Sequence, residues 1–149
     1  MPDFRKALEQ GFEAARKADI AKKEIDEVFN DLKTQVLSGT GNKVLIERGQ
    51  IRDDSLPATF REVLTFGGAP APGYSAIVAF NPSAKKKLVE LARWEVDKAG
   101  YPCTVTWSKQ AHVCENKEAL INCLSDLLKD PVVGEKIYTL TKLEPTRTE

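Results

Sequence analysis

Residues 3–37, DFRKALEQGFEAARKADIAKKEIDEVFNDLKTQVL, contain no proline and one glycine, Gly11, and are dense in Ala, Glu, Lys and Leu. That composition favours helix over any other local structure. Phe4, Leu8, Gly11, Ala15, Ala18, Lys22, Ile25, Phe29, Leu32 and Val36 follow one another at alternating spacings of four and three, a heptad stripe. The stripe is strongly apolar in its second half (Ile25, Val28, Phe29, Leu32, Val36) and weak at Gly11 and Lys22. An unbroken helix of this span is about 50 Å long at 1.5 Å per residue. That is longer than a small domain is wide, so part of it must overhang, break or meet another chain. Asp19 offers a cap for a break near Ala18. Ser38-Gly39-Thr40-Gly41-Asn42 supplies the glycine and the loop that end the helix.

The remainder reads as a compact α+β domain. Lys43–Arg48 is a short strand, 49–73 is irregular with a helical turn after Pro57, and Tyr74–Phe80 is the clearest strand. Asn81-Pro82-Ser83 opens a helix that runs to about Ala99 and stops at Gly100, with Leu88, Leu91, Ala92, Val96 and Ala99 as its apolar stripe. Cys103–Trp107 and Gln110–Cys114, separated by Ser108-Lys109, form a two-residue hairpin. It sets Cys103 opposite Cys114, Val105 opposite His112 and Trp107 opposite Gln110. Helices follow from Lys117 to Lys129, capped by Asn116, and after Asp130-Pro131. The expected organisation is a long helix over 1–42 that can serve for oligomerisation, a compact domain over 43–143 and a disordered tail over 144–149. The expected fold is a small mixed sheet of about four strands packed with three helices.

The 149 residues suit one domain with an appended element. Basic and acidic residues balance at 22 each, which removes any global pointer to nucleic acid or to a cationic partner. The balance is local too: 7 basic against 8 acidic over 1–42, 9 against 7 over 43–100, and 6 against 7 over 101–149. The longest apolar run, Ala76–Phe80, is far short of the roughly 20 residues of a membrane-spanning helix. The amino terminus has no apolar segment of signal-peptide type, and three cysteines are too few for a disulfide scaffold. These features lead to the expectation of a cytoplasmic protein with reduced thiols, no membrane association and no cofactor.

Cys103, His112, Cys114 and Cys123 are the only cysteines and the only histidine, and a tetrahedral zinc site needs four such ligands. Their spacing, C-x8-H-x-C-x8-C, lacks the close pairs of specific zinc motifs. Core thiols are the better reading. The lysine run Lys85-Lys86-Lys87 falls in the first turn of the expected helix, where the dipole disfavours cations. A compensating anion or nucleic-acid contact therefore becomes a candidate. Trp94, off the apolar stripe and flanked by Lys87 and Lys98, suits a partner surface or a stacking platform. No H-E-x-x-H, G-x-S-x-G or Walker A motif occurs.

The segments Ala92-Arg93-Trp94-Glu95, Ala99-Gly100-Tyr101-Pro102-Cys103 and Asp130-Pro131-Val132-Val133-Gly134-Glu135-Lys136 resemble small uncharacterised accessory proteins of bacteriophages and prophages. The resemblance covers about half of the domain, implies a phage context and carries over no functional residue. The expected function is a non-enzymatic interaction protein with an unidentified protein partner. It forms a homo-oligomer through Ile25, Val28, Phe29, Leu32 and Val36, although the same stripe suits packing on the chain's own sheet. The alternative is a nucleic-acid-binding regulator using Lys85, Lys86, Lys87, Lys98 and Trp94, helped by Lys109.

Overall fold

The computed structural model describes residues 2–52, 73–84 and 88–143. The first helix, α1 (Phe4–Gly39), is a single 36-residue rod with no break at Asp19. Asp3 caps it, its carboxylate oxygen Oδ1 accepting the Lys6 backbone N–H at 3.1 Å. At the other end Thr40 turns back: its hydroxyl donates to the Val36 carbonyl at 2.8 Å and accepts the Val44 N–H at 3.1 Å. Gly41 and Asn42 then take left-handed backbone angles, φ +65° and +64°, and reverse the chain.

Five strands follow in a simple antiparallel meander: β1 (Leu45–Arg52), β2 (Gly73–Phe80), β3 (Val89–Val96), β4 (Cys103–Trp107) and β5 (Gln110–Cys114). The hairpin between β4 and β5 has the anticipated register, with Cys103 opposite Cys114 and Trp107 opposite Gln110. Ser108 and Lys109 both have positive φ (50° and 64°), the backbone of a two-residue turn whose twist matches the strands. Two helices complete the described chain, α2 (Lys117–Lys129) and α3 (Pro131–Thr141). Asn116 caps α2 through the Ala119 N–H at 2.8 Å. Asp130 caps α3 through the N–H groups of Val132 and Val133, with Pro131 in the permissive first turn.

The α+β class is as anticipated, but the sheet is wholly antiparallel and has five strands, and two helices follow α1 among the described residues. The difference lies at 83–99. Where the sequence suggests a helix, Val89–Val96 is the central strand of the sheet. The physical cause is a bulge. Ile77 pairs with Ala92 but Val78 pairs with Glu90, so Leu91 is an extra residue. Leu91 and Ala92 are consecutively buried, which breaks the alternation of a strand and imitates a helical stripe. Asn81 does not cap a helix either. Its side chain is buried, donates to the Leu140 carbonyl at 2.9 Å and accepts the Ser83 N–H at 3.0 Å. β1 reaches Arg52, taking up four residues of the expected irregular stretch. The helical turn after Pro57, the lysines at 85–87 and the tail over 144–149 lie outside the described residues.

The core sits between the sheet and the helices. Ile46, Ile77, Ala92, Trp94, Cys103, Val105 and Cys114 meet Ile25, Val28 and Phe29 of α1 and Leu120, Cys123, Leu124 and Leu127 of α2. Gly100 fixes where α1 leaves this core. It has φ +93°, and a Cβ there would fall 2.6 Å from the Ala21 Cβ. No described helix is long and apolar enough to cross a membrane.

Candidate interaction surface

From Ala21 onward α1 is anchored: Ile25 is 1 % exposed, and Val28 and Phe29 are also buried. Before Ala21 it projects from the domain. Residues 4–20 form a stretch of roughly 25 Å at 1.5 Å per residue. Phe4 is 76 % exposed, Leu8 56 % and Phe12 61 %. At 100° per residue these three fall within about 80° of arc, with Ala15 between them and Gly11 beside Phe4. The overhang therefore has an apolar face of its own. Its described ion pairs are local, Arg16 with Glu13 at 3.3 Å and Lys23 with Asp19 at 3.2 Å. Both lie on the surface, where such pairs contribute little.

The stripe expected to make the oligomer is placed otherwise. Ile25, Val28 and Phe29 are buried in the chain's own core, and Leu32 and Val36 pack partly against it. Leu32 and Val36 also line a groove of about 410 Å³ with Gln35 of α1 and with Ile121 and Leu128 of α2. Trp94, expected on a helix surface, is 5 % exposed on β3. Its ring meets that of Phe29 edge-on, so it offers no surface for stacking a base. Lys98 is exposed in the turn after β3, and Lys85, Lys86 and Lys87 lie outside the described residues. The helix expected to run from Ser83 to about Ala99 is not formed over Val89–Val96, which is strand β3.

The hairpin and α2 bring the three thiols together. Cys103, Cys114 and Cys123 are all buried, and the Cys114 thiol donates to the His112 carbonyl at 3.8 Å. Burial pushes the Cys103 and Cys123 thiols up to about 12 and raises that of Cys114. Thiols so raised are protonated near neutral pH and are poor nucleophiles. His112 does not join them. Its ring stacks on Trp107 with centroids 4.0 Å apart, and its Nε2 is buried without a hydrogen-bond partner. Among the described residues no group of three or more His, Cys, Asp or Glu is placed to hold a metal ion.

A second concave region of about 410 Å³ lies beside the hairpin tip, between β3 and the start of α3. Arg93, Trp107, Lys109 and Lys136 line it, with Lys136 donating to the Glu90 carbonyl at 3.0 Å. The Arg93 guanidinium lies over the Tyr74 ring, 4.1 Å from its centroid.

Phe12 stands outside the heptad stripe, and periodicity alone does not set Phe4 and Leu8 apart from its other members. Helix length is the signal for them: a rod this long has to overhang, and its apolar residues then face water. Comparison of the chain with protein-family models, with curated proteins and with solved structures finds no match.

Proposed function

We propose that this chain is a non-enzymatic interaction protein that self-associates through the projecting segment Phe4–Ile20 of α1. One observation carries the reading. Phe4, Leu8 and Phe12 share one face of a helix that extends beyond the domain, and all three are more than half exposed. An isolated helix of about this length is marginal in water unless an apolar face is covered. Large apolar side chains gathered on a projecting element mark a contact surface. The interface is thus shifted toward the amino terminus relative to the stripe Ile25–Val36, of which Ile25, Val28 and Phe29 are buried in the chain's own core.

Light scattering on the full chain tests the reading against the double variant Leu8→Glu, Phe12→Glu. Both positions are exposed, so the domain of the variant folds as before. The full chain is expected to exceed its monomer mass of 16.5 kDa at micromolar concentrations, and the variant to remain at that mass. Equal masses for the two proteins contradict the reading.

A further inference from the structure

We infer that the projecting segment pairs with the same segment of a second copy, antiparallel, about a twofold axis level with Glu13. The inference rests on the self-association just proposed and specifies its partner and register. The free stretch runs from Phe4 to Ile20, because Ala21 is buried against Gly100. Laying two such stretches head to tail with the axis level with Glu13 sets Phe4 opposite Lys22 of the second copy, an exposed residue just past the clamp. Leu8 then faces Ala18, and Gly11 faces Ala15.

This register matches size. Leu8 meets a small residue, and the small residues at the centre let the two backbones approach closely. A parallel pairing stacks Phe4 on Phe4 and Leu8 on Leu8 at one end. At the other it sets Lys22 against Lys22, a like-charge contact.

The same register matches charge. Arg5, Phe12 and Asp19 recur every seven residues along one edge of the stripe, and Ala7, Ala14 and Ala21 along the other. In an antiparallel pair each edge faces its own counterpart, whereas in a parallel pair it faces the opposite edge. Antiparallel pairing therefore sets Arg5 opposite Asp19 of the second copy, twice, with Phe12 against itself at the axis. On the other edge Ala14 meets its own counterpart. Parallel pairing would set Arg5 and Asp19 against alanine edges and leave their charges unmatched. Size matching and charge matching are independent requirements, and they select the same register.

Four phenylalanines and two leucines meet in this contact. They bury roughly 600–1,000 Å² together, which places the interface in the weak class. A dissociation constant in the micromolar range follows.

Charge exchange tests the register. Sedimentation equilibrium at low ionic strength, where exposed charges are least screened, compares the natural chain with Arg5→Asp, Asp19→Arg and the double variant. Both substituted positions are exposed. Each single variant places two like-charged pairs in the dimer and is expected to weaken it roughly five- to thirtyfold. The double variant exchanges the partners and is expected to regain the affinity of the natural chain. Asp19→Arg also removes the local pair with Lys23, which the double variant does not rebuild, so recovery reports on the contact between copies. Single variants that dimerise like the natural chain, or a double variant that fails to recover, overturn the register while leaving self-association standing. A natural chain that stays monomeric overturns both.

Discussion

The ring of Trp94 meets the ring of Phe29 edge-on, with centroids 5.0 Å apart and planes at 76°. This contact joins the central strand to the anchored half of α1, and it decides which part of the helix remains free. Phe29 is held on its other side by Arg48, whose guanidinium lies 4.5 Å from the ring centroid and bonds the Asp26 carboxylate at 2.7 Å. Trp94→Ala is expected to lower unfolding stability by about 3–5 kcal/mol, the range for removing a buried aromatic. Urea unfolding of the variant measures the loss. A change below about 1 kcal/mol would show that Trp94 is not a core residue.

Gly100 is the second clamp on α1. A side chain there meets the Ala21 Cβ at 2.6 Å and sits at φ +93°. Gly100→Ala is therefore expected to cost roughly 1–3 kcal/mol, from strain at the left-handed angle together with displacement of the helix. Thermal unfolding followed by circular dichroism checks it. Gly11→Ala provides the contrast. Nothing lies within 4 Å of Gly11, and the change should raise helix stability by about 1 kcal/mol.

The three thiols make stability depend on alkaline pH. Burial raises Cys103 and Cys123 from 9.0 to about 12 in the folded chain, so the native state keeps protons that the unfolded state gives up. The stabilisation is complete below pH 9 and is lost as pH rises from there toward 12. Denaturant midpoints are expected to be level from pH 7 to 8.5 and to fall above pH 9. Exchange of Cys123 for Ala should make the alkaline fall shallower. A midpoint that stays constant up to pH 10.5 would mean that these thiols are not held protonated by the fold.

Asn81 links the end of β2 to α3 through the Leu140 carbonyl. Asn81→Ala removes the side-chain donor to that carbonyl, which the Leu143 N–H also reaches at 3.3 Å, and is expected to cost about 0.5–1.5 kcal/mol. Native-state hydrogen exchange should show the loss concentrated in α3. Uniform loss across the sheet would count against a local role.

Much of this architecture was legible in the sequence, for identifiable reasons. The long helix follows from the absence of proline and the abundance of strong helix formers. The hairpin follows from two short runs separated by Ser108-Lys109, and α2 and α3 follow from their caps, Asn116 and Asp130. The strand at Val89–Val96 was not legible, because the bulge at Leu91 placed two buried residues side by side and gave the run a helical period. That single substitution of strand for helix moved Trp94 from an expected surface into the core. The projecting surface was half legible. Length required an overhang, but the strongest apolar residues of α1, Ile25 and Phe29, drew attention to the half of the helix that the sheet covers. Periodicity locates an apolar face, whereas only the fold shows which stretch of that face is already taken.

Self-association through the projecting half of α1 is read by sedimentation equilibrium of the full chain across the micromolar range. The average mass is expected to climb from 16.5 kDa toward twice that value with concentration, and that of the Leu8→Glu, Phe12→Glu variant to hold at 16.5 kDa throughout. A full chain that remains at 16.5 kDa up to the highest concentration measured would contradict self-association.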